Sequence, residues 1–60
     1  MDAIKTTEYA RALYRAHGDA AEAEAAKRAR DCQTSGKTDE AQNWQAIRRT
    51  IHELRGPNQG

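Results

Sequence analysis

The sequence predicts an all-α protein, a small antiparallel three-helix bundle, and three observations carry that expectation. Ala, Glu, Lys, Leu and Arg supply 29 of the 60 residues, the proportion that marks helical chains, while Val and Phe are absent. Gly18, Gly36 and the Gly56-Pro57 pair cut the chain into three segments of nearly equal length. Within those segments, apolar residues recur at helical rather than strand spacing. Ile and Leu together make only five residues, which leans towards disorder, but a net charge of +1 lacks the charge imbalance that completes that signature.

The first helix is expected over about residues 3 to 17. At roughly 100° per residue, Ala3, Thr7, Ala10, Tyr14 and His17 share one face, flanked by Ile4 and Leu13, with Lys5, Glu8, Arg11 and Arg15 mostly opposite. Tyr9 falls off that stripe and is the candidate for an exposed aromatic contact. The second helix is expected over 20 to 34. Asp19-x-x-Glu22 has the form of an acidic capping box, in which Asp19 accepts from first-turn amides and Glu22 reaches back to the Asp19 amide. Its inner face is Ala21, Ala25, Ala29 and Cys32, with Ala26 and Gln33 beside them, and Glu24 with Arg28 forms a favourable i,i+4 pair outside. Such a face has almost no bulk, so larger residues of the other helices, or a copy of the same helix, must grip it.

The third helix is expected over 39 to 55, with Thr38 or Asp39 as N-cap and Asp39 and Glu40 set against the positive end of its dipole. Trp44, Ile47, Ile51 and Leu54 fall within a narrow arc, the clearest amphipathic stripe of the chain, and Arg55 suits the last turn before Gly56. Residues 1–55 thus read as one domain and 56–60, Gly-Pro-Asn-Gln-Gly, as a flexible tail. A short echo, Gly18-x-x-x-Glu22-Ala23 against Gly36-x-x-x-Glu40-Ala41, resembles the turn of tetratricopeptide-type hairpins without their period or large residues.

The core promises to be thin. Of the 22 apolar residues 12 are Ala, and ordering the backbone costs about 1–2 kcal/mol per residue against about 1.5–3 kcal/mol for each large side chain buried. A monomer therefore sits near its stability margin, and a hairpin plus third helix completed by oligomerisation is the variant fold. One Cys makes no internal disulfide, no apolar run reaches a membrane span, and the N-terminus lacks a signal-peptide layout, so a cytoplasmic protein without membrane contact is expected.

Chemistry-bearing motifs are weak. Gly36-Lys37-Thr38 resembles the end of a P-loop, but Asp31 stands where the first Gly is required and would oppose a phosphate. Cys32 could be a nucleophile only if His17 or His52 activated it, and an up-down-up bundle sets both His towards the opposite end. One Cys and two separated His give no metal-ligand spacing, although His17 and His52 could approach each other at one end. No catalytic set, metal or cofactor is therefore expected.

The candidate interface or core residues are Tyr9, Tyr14, Trp44, Ile47, Ile51 and Leu54, and the expected role is a non-catalytic protein–protein interaction module that self-associates. The alternative is a small nucleic-acid-binding regulator using Arg48, Arg49 and Arg55 of the third helix, disfavoured by Asp39 and Glu40 at its N-terminus and by the low net charge. The stretch Tyr9-Ala-Arg-Ala-Leu-Tyr-Arg-Ala-His-Gly-Asp, with the ending Ile51-His-Glu-Leu-Arg-Gly-Pro, resembles short uncharacterised helical proteins of bacteria, alphaproteobacteria among them. That resemblance spans most of the chain and implies no activity and no functional residues.

Overall fold

A computed structural model describes residues 3–56, with the side chain of Ala3 left aside. Three helices make up nearly all of it: α1 Ala3–His17, α2 Ala20–Thr34 and α3 Thr38–Arg55, with no strand among the described residues. All three pairs of helices are in contact, most extensively α2 with α3, and α1 touches α2 least. The protein is an all-α three-helix bundle. Of the tail expected at 56–60, Gly56 closes α3 and residues 57–60 lie outside the described residues.

The turn between α2 and α3 shows why the helices end where glycines stand. Gly36 has φ +78, a conformation that side-chain-bearing residues rarely adopt. That turn lets the Gly36 amide donate to the Gln33 carbonyl at 3.1 Å and the Lys37 amide to the Cys32 carbonyl at 2.8 Å. Those two bonds are the Schellman pattern, and they satisfy carbonyls that the end of α2 would otherwise leave open.

Capping at the helix starts differs from expectation. Asp19 stands at the N-cap of α2 but in helical geometry (φ −62, ψ −23) and with no side-chain cap bond, so the acidic capping box does not form. Its partner Glu22 is drawn instead to Arg55 on α3, a charged group that outcompetes a backbone amide. For α3 the cap is Lys37, not Thr38 or Asp39, and it too lacks a side-chain cap bond. Thr38 is already helical there, and the Lys37 carbonyl accepts the first bond of the helix from Ala41.

Inside, Ala10, Ala21, Ala25, Ile47 and Ile51 form one buried cluster, with Leu13, Tyr14 and Trp44 partly buried against it. The fully buried positions of α2 are Ala21, Ala25 and Ala29, three of the four expected on its inner face; Cys32 and Ala26 are half-buried, and Gln33, expected beside them, is exposed. Helix α1 is turned from its expected register. Thr6 is buried beside Ala10, whereas Ile4, expected to flank the inner face, is 72% exposed. Both stripes share Ala10, and Ile4 stands about 200° from Thr6, so packing that selects Thr6 and Leu13 must expel Ile4. Leu54, expected to close the α3 stripe, stays 36% exposed. The 18-residue echo has no counterpart in packing, since Ala41 is buried and Ala23 exposed.

Among the described residues only Ile47 and Ile51 are large and fully buried. The bundle thus depends on close approach at the alanines. Enlarging one of them, Ala25→Leu, is expected to cost about 1–3 kcal/mol by overpacking, while Ala23→Leu on the exposed side of the same helix should stay within about 0.5 kcal/mol. Urea melts followed by circular dichroism check the contrast, and equal effects would contradict the packing described.

Candidate functional site

Two side-chain assemblies and a set of shallow clefts are the candidate sites. The up-down-up order of the helices brings the start of α2 beside the end of α3. There Arg55 Nη1 donates to Glu22 Oε1 at 2.8 Å, and Arg55 Nε stands 3.7 Å from Asp19 Oδ1. On its other side, Glu22 Oε2 lies 3.5 Å from His52 Nδ1. Glu22 and Arg55 are half-buried, so their pairing is better shielded from water than the Glu24–Arg28 and Lys37–Glu40 pairs elsewhere on the surface.

The Arg55 hydrogen bond holds the Glu22 carboxyl below its ordinary value of 4.5; partial burial works against this, and His52 reinforces it. The same hydrogen bond holds the Arg55 guanidinium above its ordinary value. Glu22 is therefore a poor proton donor near neutral pH, and its place is structural: it ties the first turn of α2 to the last turn of α3.

Towards the middle of the bundle, Trp44 of α3 gathers all three helices. Tyr9 of α1 meets it edge to face, with ring centroids 5.5 Å apart and planes at 86°. The Arg28 guanidinium of α2 lies 5.3 Å from the Trp44 ring centroid, a cation–π contact worth about 0.5–1 kcal/mol at a surface site. Glu24 Oε1 accepts from Arg28 Nε at 3.1 Å and holds the guanidinium in place. The i,i+4 pair expected on α2 thus exists, and it also serves a tertiary contact.

The remaining candidates divide as follows. Ile47 and Ile51 are buried, Tyr14 and Trp44 half-buried, and Tyr9 is 45% exposed even while it packs on Trp44. Arg48 is exposed and donates to Gln45 Oε1 at 3.2 Å, Arg49 is exposed, and Arg55 is committed to carboxylates. Cys32 is half-buried, His17 is exposed at the end of α1, and His52 faces Glu22. Among the described residues no group of three or more His, Cys, Asp or Glu could hold a metal ion, and no helix is long and apolar enough to cross a membrane.

The clefts are open hollows, not enclosed cavities. One of about 230 Å³ is lined by Glu22, Arg48, Arg49 and His52. Another, of about 610 Å³, lies between α1 and α3 and is lined by Arg11, Tyr14, Arg15, Gly18 and Leu54. The latter joins the side chains of Tyr14 and Leu54 to two arginines.

Sequence reasoning missed the Glu22–Arg55 clasp because each residue had a sufficient local role, Glu22 in a cap and Arg55 against a helix dipole. The topology held the signal that could have found it, since an up-down-up order sets residues 19–22 beside 52–55. Comparison of the chain with protein-family models, with curated proteins and with solved structures finds no match in any of the three.

The sign of the Glu22 shift fixes a pH dependence. A carboxyl held low when folded contributes stability that is fully present above its ordinary value of 4.5 and is lost as the pH falls through the lower folded-state value. Glu22→Gln should therefore melt at a lower temperature than the parent at neutral pH, with the difference shrinking in acid below that window. Thermal melts at a series of pH values check this, and a difference independent of pH would contradict it.

Proposed function

We propose that this chain is a small, non-catalytic protein–protein interaction module that self-associates in the cytosol. The supporting observation is the mismatch between interior and surface: among the described residues two large side chains are fully buried, while Ile4 is 72% exposed and Leu54 and Tyr9 remain substantially so. In a chain this short each exposed large apolar group is stabilisation forgone, which a second protein surface would recover.

The alternative, a small nucleic-acid-binding regulator, retains Arg48 and Arg49 as exposed neighbours on α3. It loses Arg55 to Glu22 and Asp19, and the cleft beside Arg48 and Arg49 contains the Glu22 carboxylate, which repels phosphate. Self-association is the stronger reading.

Sedimentation velocity over a concentration series, with circular dichroism at each concentration, tests it. A weight-average sedimentation coefficient that rises with concentration at constant helicity is expected. A helical monomer at every concentration would overturn self-association, and binding to a short DNA duplex that weakens steeply with salt would move the assignment to the alternative.

A further inference from the structure

We propose that the outer face of α1 is the self-association surface, and that two copies of the chain pair there antiparallel about a twofold axis. This rests on the self-association reading above and adds the residues and the geometry. Ile4, Glu8, Arg11 and Arg15 stand at i, i+4, i+7 and i+11, so they line one face of α1 over three turns. That face points away from the stripe of Thr6, Ala10 and Leu13 that packs inward, and all four residues are exposed. It carries a projection at one end, Ile4, and at the other the hollow of about 610 Å³ lined by Arg11, Tyr14, Arg15, Gly18 and Leu54.

Projection and hollow match when the face is turned upon a copy of itself. Because the rise is 1.5 Å per residue, an axis at the level of residue 10 sets Ile4 of one protomer opposite the level of residue 16 of its partner. That level lies within the hollow, between Arg15 and Gly18, where the rings and methyls of Tyr14 and Leu54 provide apolar floor. The same axis sets Glu8 opposite the level of residue 12, between the partner's Arg11 and the partner's Arg15. Charge and shape therefore agree on one register.

The charges on this face have a further property that points to a copy. Neither Arg11 nor Arg15 forms an ion pair among the described residues, and Glu8 forms none either. The two Arg11 side chains lie near the axis, each within a turn of the Glu8 of both protomers, so the carboxylates offset a repulsion that an apolar face alone would not. A twofold contact uses the same patch on both chains and closes at a dimer, so no filament follows. One helix face is a small interface, at the weak end of specific association, and a dissociation constant on the order of tens of micromolar is expected.

Sedimentation equilibrium of the full chain and three variants tests this, with circular dichroism confirming that each is helical. The wild-type chain is expected to dimerise, and Ile4→Lys, which sets an ammonium among the arginines that line the hollow, should weaken the dimer at least tenfold. Glu8→Arg, which confronts guanidinium with guanidinium, should weaken it comparably, and the swap Glu8→Arg with Arg11→Glu and Arg15→Glu should restore it. All these positions are exposed, so the variants leave the core untouched. If the wild type dimerises and Ile4→Lys and Glu8→Arg dimerise equally well, this face is overturned while self-association stands. If the charge-swapped chain fails to recover, the antiparallel pairing is overturned. A wild type that stays monomeric at every concentration overturns both the face and the broader reading.

Discussion

The bundle depends on how closely α3 can approach α2. Every fully buried position of α2 is an alanine, at 21, 25 and 29, so backbone rather than side chain forms that wall of the interior. Ile47 and Ile51 of α3 reach directly against it and, among the described residues, are the only large side chains fully removed from water. Close packing here stands in for bulk: dispersion contacts and apolar burial come from proximity. The same choice limits the size of the interior and leaves α1 as the more lightly held helix.

Polar groups fasten what the small core does not. At the end where α2 begins and α3 finishes, Arg55 bridges to Glu22 and approaches Asp19, with His52 on the far side of Glu22. Farther along, Trp44 stands between Tyr9 and Arg28 and so ties α1 and α2 to α3 through one ring. Both fastenings use long or flat side chains that span the edge of a bundle while keeping a charge or ring edge in water. They also engage Arg55 with carboxylates and Arg28 with Glu24 and the Trp44 ring.

The functional reading follows from what remains unused. Once the core and the fastenings are assigned, α1 carries an exposed isoleucine, a glutamate and two arginines on one face, beside a hollow lined by Tyr14 and Leu54. Here the Glu22–His52 approach lies in an open cleft, and its carboxylate is already held by Arg55.

By itself the sequence determined the elements: glycine spacing, alanine-rich composition and the Trp44, Ile47, Ile51 stripe were enough for three helices with nearly the observed ends, because helix propensity and termination are local properties. The alanine face of α2 was legible for the same reason, since one side of that helix had nothing else to bury. Only the tertiary structure decided the rotation of α1. Two stripes share Ala10, and nothing local chooses between the one with Ile4 and the one with Thr6. It also decided the partners of charges. Glu22 could cap its own helix or cross to α3, and the nearby guanidinium of Arg55 prevailed, a long-range competition that chain order alone does not record. The candidate surface became visible only then, because an exposed Ile4 is a consequence of how the other helices turned α1.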